Sequence, residues 1–233
     1  IEGFAAYRQR LDTHPEEWAV LDGLTHITIS RFFRDKSIFE ALEARVLPDI
    51  AARAEAEKRQ ARFWSAGCAS GEEPYTLKIL WDLALVPAFP GVECSVIATD
   101  VDETVLKRAR NGCYSKGSLR ELPEALLRQG FEQSDGLFCV RQQHREGVSF
   151  VLQDLRSDAP DGRFDLILCR NVAFTYFAPP LQVEALDRIL GRLAKSSYLV
   201  VGAGEKLPRE MSFLRPLTGV PEIFRYGMAL PEA

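Results

Sequence analysis

Two consecutive carboxylates, Glu72 and Glu73, follow the run Arg62-Phe63-Trp64-Ser65-Ala66-Gly67-Cys68-Ala69-Ser70-Gly71 and precede Pro74-Tyr75. An apolar run, a small-residue turn hinged on Gly67 and Gly71, and a helical pattern (Thr76, Leu77, Ile79, Leu80, Trp81, Leu83) predict strand, tight loop and helix in that order. In an open α/β sheet such a junction lies at the carboxyl end of a strand, where glycines let the backbone approach a ligand. The loop is not GxxxxGK[ST], and no Lys or Arg stands between Arg62 and Lys78, so nothing cationic is placed to meet a triphosphate. The paired glutamates have two readings. They suit the positive end of the helix macrodipole, and Pro74 just inside the helix fits that role; they also make an acidic pocket edge that attracts a ligand ammonium.

Asp100 closes a second apolar run, Val92 to Thr99, with Asp102 two residues on. An acidic residue at the end of the second strand of a dinucleotide-type half hydrogen-bonds ribose hydroxyls. Alternatively, Asp100 caps the helix expected from Glu103 to Arg110, which stops at Asn111-Gly112. A third apolar strand, Phe164 onward, ends in Arg170-Asn171-Val172 and has the nearly continuous hydrophobicity of a parallel strand buried on both faces.

The elements that must position these residues alternate strand and helix. After Gly67 come the strand to Thr99, a helix, a connector from Leu119 to Gly130, a strand from Val148 to Gln153 followed by Asp154-Leu155, and the Phe164 strand. An amphipathic helix from Pro179 to Ala194, a strand from Ser197 and a closing hairpin around Leu217 to Tyr226 complete the series. The expected fold is α/β, a doubly wound, mostly parallel sheet. Residues 113–147 break the rhythm and read as a small antiparallel β insertion. Residues 1–60 contain no strand pattern and form a short N-terminal helical domain ahead of the sheet domain, 61–233. Within them Ala41 to Lys58 reads as helix interrupted by Pro48, and Phe32 and Phe33 as core.

Composition bounds the function. The chain is 233 residues, 46% hydrophobic and 27% charged, with net charge −4, so a basic footprint for nucleic acid is not evident. No apolar run reaches membrane-spanning length, no stretch reads as a signal peptide, and the start at Ile1 is expected of a trimmed chain. Five scattered cysteines, never spaced CxxC, suggest neither a disulfide framework nor a zinc site; a reducing, cytoplasmic location fits. Cys94 and Cys169 read as buried small hydrophobes, and Trp18, Trp64 and Trp81 as core. His14, His26 and His144 share no ligand spacing and read as surface or capping residues, and the run from Glu55 to Arg59 as a solvated helix face.

Taken in order, Gly67-Cys-Ala-Ser-Gly-Glu-Glu-Pro-Tyr75, Ala98-Thr-Asp100-Val-Asp102 and Phe164-Asp-Leu-Ile-Leu-Cys-Arg-Asn171-Val172 resemble the chemotaxis-receptor glutamate methyltransferases of the CheR type. The upstream Phe32-Phe33-Arg34-Asp35 and the β insertion extend that resemblance over residues from about 25 to 205. It implies a Rossmann-like class I methyltransferase fold and methyl transfer from S-adenosylmethionine to a glutamate side chain. S-adenosylhomocysteine is released. Motif by motif, it implies that Glu73 holds the cofactor's amino group and Asp100 its ribose. Asp154 and Leu155 flank the adenine, Asn171 and Val172 line the methionine end, and Thr28, Ser30 and Arg34 cover the cofactor. Arg34 also touches the incoming carboxylate, and Tyr176 is a second candidate for the methyl-transfer region. No metal is implied. The acceptor implied is a protein, such as the cytoplasmic helical bundle of a chemoreceptor, met by a monomer without nucleic acid or membrane insertion. Two departures bear on the substrate side. One extra residue lies within Asn171-Val-Ala-Phe-Thr-Tyr176-Phe177, and the family's glycine-histidine-serine-glutamate pattern reads Gly202-Ala-Gly-Glu205 here. They leave open another protein or a small carboxylic acid as acceptor, or a non-catalytic cofactor-sensing module.

Overall fold

A computed structural model describes residues 3–18, 21 and 30–227. Among them the chain forms a seven-stranded sheet and a separate three-stranded one. The large sheet comprises β1 (Ala61–Ala66), β2 (Cys94–Asp100), β6 (Val148–Leu152), β7 (Phe164–Cys169), β8 (Leu193–Val201), β9 (Leu214–Leu217) and β10 (Val220–Tyr226), in the order β6-β2-β1-β7-β8-β10-β9. All neighbours are parallel except β8-β10 and β10-β9, which are antiparallel. The doubly wound, mostly parallel sheet read from the sequence is therefore present. Strand order reverses at β1, which pairs with β2 on one side and β7 on the other, so the crevice of this sheet lies beyond the carboxyl ends of β1 and β7.

Every residue of β7 is buried, as its unbroken apolar run requires of a central parallel strand. Its one acid, Asp165, is held by both terminal nitrogens of Arg59 at 2.8 Å and by the Arg62 N–H at 3.0 Å. One face of the sheet is covered by α2 (Lys36–Ala41) and α3 (Leu47–Ala56), whose Phe39 and Ile50 share a core with Phe63 and Trp81. The other face carries α8 (Pro179–Leu190) against Trp64 and Phe164. Phe32 and Phe33 are buried in the first of these cores, as read from the sequence.

The β insertion also forms where expected. It contains β3 (Cys113–Tyr114), β4 (Phe131–Ser134) and β5 (Leu137–Val140) in the order β3-β5-β4, with the helix α6 (Glu124–Gly130) between β3 and β4. The remaining helices are α1 (Phe4–Thr13), α4 (Glu72–Leu80), α5 (Glu103–Asn111) and α7 (Ala173–Tyr176).

Several readings need correction. The cysteines do pair: Cys113 and Cys139 lie directly opposite in the β3-β5 register and form a disulfide that spacing along the chain does not advertise. Cys94 and Cys169 are buried and free, as expected. Trp18 is 53% exposed rather than core, because its indole N–H folds back onto the Leu11 carbonyl at 3.0 Å. His144 is fully buried rather than at the surface, its Nδ1 2.7 Å from Asp82 Oδ2, while Lys78 grips the same carboxylate at 2.6 Å. His26 lies outside the described residues. Pro48 does not end its helix: the backbone stays helical from Lys36 to Ala56, and the turn just before Pro48, Leu42–Val46, widens to a π turn that takes in a residue without an N–H. The helix from Pro179 ends at Leu190, and β8 begins at Leu193. The strand kinks through Ser196 at φ 59° before resuming, which hid its first half.

Phe32 meets Tyr114 and Phe131 edge-on at 4.8 and 5.0 Å, joining the segment before α2 to the insertion. Phe32→Ala is expected to cost about 3–5 kcal/mol, measured as a lower urea midpoint with unchanged slope.

Candidate functional site

The loop after β1 is a chain of left-handed residues: Gly67 at φ 72°, Ala69 at 48° and Gly71 at 91°. A Cβ on Gly67 would sit 2.3 Å from Val172 Cγ2, so glycine is what allows the loops after β1 and β7 to touch. The loop's N–H groups are already engaged. Gly67 and Cys68 donate to the Thr99 carbonyl at 2.8 and 2.9 Å, and Ala69 to Asp100 Oδ2 at 2.8 Å. These donors are spent on the end of β2 and the Asp100 side chain rather than left for a ligand phosphate, in line with the absence of a phosphate cradle in the sequence.

Asp100 also accepts from the Asp102 N–H at 3.0 Å, while Asp102 caps α5 through the Thr104 N–H. Capping thus falls to Asp102, leaving Asp100, half-buried at the strand end, to brace the loop with lone pairs to spare. Beside it the chain leaves β6 with Gln153 N–H bonded to the Asp100 carbonyl at 3.0 Å. This brings Asp154 next to the crevice. Arg156 pairs with Asp154 at 2.7 Å and holds its carboxyl below the usual range, whereas the Leu155 side chain turns into the core with Trp64.

The glutamate pair divides its roles. Glu73 Oε1 accepts from Ser65 Oγ at 2.7 Å and Oε2 from Arg170 Nη1 at 2.9 Å. Arg170, whose side chain is 3% exposed at the end of β7, uses Nη2 to reach the Arg34 carbonyl and Asp35 Oδ2, both at 2.8 Å. Its guanidinium lies 5.1 Å over the Phe39 ring. Phe33 and Asp35 both adopt φ 61°, so Arg34 is carried between two strained residues that this bridge pins over the crevice. Glu72 is different: it is 2% exposed, and its Oε2 has no hydrogen-bond partner among the described residues. Burial pushes its carboxyl up, with hydroxyls of Ser30 and Ser70 pulling the other way. Cys68, buried beside Asp100 and Glu73, has its thiol pushed well up, first by burial and then by those charges.

After β7, Asn171 takes φ 55° and donates its N–H to Glu205 Oε2 at 2.9 Å. The same oxygen accepts from Gly202 N–H at 2.6 Å, and Oε1 from Thr175 Oγ1 at 2.5 Å. The Asn171 side chain lies where a Cβ on Gly202 would come within 2.6 Å of it. Glu205, in the segment that departs from the family pattern, is therefore a brace for Asn171. Tyr176 ends the single turn of α7 and is 65% exposed.

The structure thus brings Ser30, Arg34, Glu73, Asp100, Asp154, Asn171 and Val172 to the loops at the carboxyl ends of the central strands; Leu155 is buried in the core with Trp64, Tyr176 is exposed, and Thr28 lies outside the described residues. Sequence reasoning missed Arg170, Ser65 and Glu205 as site builders. Arg170 had a readable signal: a cation ending a nearly all-apolar, fully buried strand must find buried partners. The donor set fits a cationic, hydroxylated nucleoside. The carboxylates of Asp35, Glu72, Glu73, Asp100 and Asp154 outnumber the guanidinium groups of Arg34, Arg156 and Arg170, and the loop amides are spent internally.

Comparison with known proteins agrees in kind. The family described as CheR methyltransferase, SAM binding domain, matches residues 28–219. A probable chemotaxis protein methyltransferase of Rhizobium etli is 31% identical over 97% of this chain and 85% of its own. The chemotaxis protein methyltransferase of Listeria innocua is 32% identical over 79% of this chain and 67% of its own. Chemotaxis protein methyltransferase 1 of Pseudomonas aeruginosa is 37% identical over 81% and 69%, respectively.

Two outcomes are expected. Arg170→Met strands Glu73 and Asp35 without their cation and should cost about 3–5 kcal/mol in denaturant unfolding. Glu72 has its folded-state pKa raised, so the native form holds its proton longer, and stability is lost as pH rises from the unfolded value near ~4.3 through the folded one. Glu72→Gln should therefore raise the melting temperature at pH 7 and flatten that fall between pH 4 and 7; a variant that melts lower throughout this range would contradict the reading.

Proposed function

The chain belongs to the CheR methyltransferase family and is an S-adenosylmethionine-dependent methyltransferase; on that premise we propose that it methylates a glutamate side-chain carboxylate of a protein, forming a methyl ester. The observation that carries this reading is the Arg170 bridge, which ties Glu73 in the cofactor crevice to the backbone of Arg34 and so couples cofactor and acceptor halves. When bound, the cofactor supplies an electrophilic methyl on a sulfonium.

The chain's own residues do the rest by positioning. Glu73 and Asp100 receive the amino group and ribose hydroxyls, Asn171 and Val172 border the methionine end, and Asp154 and the Leu155 backbone border the adenine. Ser30 and Thr28 cover the site from the preceding segment. An acceptor carboxylate, with an ordinary pKa near ~4.3, is ionised at neutral pH, so no general base is needed. Arg34 aligns it through a charge-assisted pair. Holding it too firmly would oppose the reaction, because attack consumes the negative charge that Arg34 stabilises. In this reading Tyr176, an exposed side chain, is a second residue that meets the acceptor.

The acceptor we favour is the cytoplasmic helical bundle of a chemoreceptor, met by a monomer in the cytoplasm, with the helical segment before residue 60 as the docking face. The names of the relatives support this, and among the described residues no helix is long and apolar enough to cross a membrane.

With labelled S-adenosylmethionine and receptor-bearing membranes, alkali-labile label should appear on the receptor. Arg34→Ala should lose about 10²-fold in rate while S-adenosylhomocysteine affinity stays within a few-fold. Asp100→Ala should weaken that affinity by about 10- to 100-fold. Label on small carboxylic acids and none on any receptor would sink the acceptor assignment.

A further inference from the structure

We propose that Cys113 and Cys139 form a reversible thiol–disulfide switch that sets how firmly the Gly67–Gly71 loop is held and therefore how tightly the crevice binds its nucleoside. The proposal rests on the cofactor reading above. The two cysteines are direct cross-strand partners, and next to them Val140 N–H bonds the Gly112 carbonyl at 2.9 Å. Antiparallel pairs alternate between hydrogen-bonded and non-hydrogen-bonded sites, so the cysteines occupy the latter, where strands come closest; their Cα atoms are 4.0 Å apart. Because β3 is only two residues long, the disulfide clamps half of it.

The other half is Tyr114, and it touches both sides of the crevice. Its hydroxyl donates to the Ser70 carbonyl at 2.7 Å and would lie 3.1 Å from a Cβ on Gly71. Its ring meets Phe32, whose N–H is held by the Ser118 carbonyl at 3.0 Å, two residues before Arg34. Releasing β3 from β5 therefore loosens the one contact the insertion makes with the Ser70 carbonyl and the edge that Phe32 packs on.

Chemistry at this pair is selective. Cys113 is partly exposed, whereas Cys139 is 9% exposed. Cys68, Cys94 and Cys169 are buried, with thiols pushed up by burial. Disulfides in reducing compartments are mostly transient or redox-sensing rather than structural. The co-reactant is a low-molecular-weight disulfide of the glutathione type. The Cys113 thiolate attacks one of its sulfurs and expels a thiolate; the Cys139 thiolate then attacks the Cys113 sulfur and expels the second. Two protein thiols are oxidised to one disulfide, one small disulfide is reduced to two thiols, and the two protons pass to those products.

The test equilibrates the protein in glutathione buffers of graded reduced-to-oxidised ratio. Alkylation with mass spectrometry reads the pair, hydrogen exchange reads amides 67–73, and calorimetry reads S-adenosylhomocysteine affinity. The pair should titrate between dithiol and disulfide across the series. The reduced form should bind about 3- to 10-fold more weakly, as a smaller competent fraction requires, and its loop amides should exchange faster. The double variant Cys113→Ser, Cys139→Ser should match the reduced form in every buffer. Exchange that tracks redox state with no nucleoside binding in either state supports the switch and removes the cofactor reading. Equal exchange and equal affinity in both states, or a pair that never changes across the buffers, overturns the proposal.

Discussion

A guanidinium buried at the end of a central strand is the constraint around which this site is arranged. Arg170 cannot reach water, so it must be neutralised and hydrogen-bonded within the protein. The chain supplies Glu73 from the helix after β1, and Asp35 with the Arg34 carbonyl from the segment before α2. Because these partners come from separate stretches of sequence, satisfying one cation fixes their relative placement. A hydrophobic residue could fill the same volume, but it would leave Glu73 free to rotate and the Arg34 turn with nothing to offset two left-handed residues. The bridge is thus better read as a geometric specification than as a source of net stability.

A second carboxylate does the same work on the opposite lip. Glu205 gathers the N–H groups of Asn171 and Gly202 and the Thr175 hydroxyl, and so holds Asn171 in a left-handed conformation against the glycine of the next loop. Both lips are therefore preorganised by buried or half-buried polar contacts, while the floor between them is set by the Gly67–Val172 approach. Rigid loops on the carboxyl ends of parallel strands are the arrangement that positions a ligand without spending its binding energy on ordering the protein.

How much of this was legible follows from whether a feature is local or cross-chain. The loop at Gly67, the acid closing β2, the nearly all-apolar β7 and the inserted antiparallel sheet all show in local pattern, and all stand in the structure as read. What escaped depends on residues far apart in sequence. His144 reads as an isolated polar residue until Asp82, 62 positions away, is packed against it. Cys113 and Cys139 are separated by 26 positions and meet only through strand register. Trp18 failed for the converse reason: a large apolar side chain found a local carbonyl partner and stayed at the surface. Arg170 was visible as a residue but not as a hub, since its three partners come from two stretches, 97 and 135 to 136 positions away.

The charge inventory of the crevice decides what kind of reaction it can host. Arg170 is shared between Glu73 and Asp35, so its single positive charge is spent before any ligand arrives. Asp100 faces neutral amide donors, and Glu72, 2% exposed, lies where little solvent reaches. The interior is thus net negative and poorly screened, a setting that favours a cation over its neutral product. Transfer of a methyl from a sulfonium to a carboxylate destroys one positive and one negative charge at once. A site that attracted both charges strongly would stabilise the reactants more than the transition state. Here the attraction for the cation is diffuse, coming from carboxylates already engaged with the protein, and the acceptor's charge is met by one arginine carried on a strained turn. Such a distribution aligns the two reactants while leaving their mutual neutralisation as the favourable step.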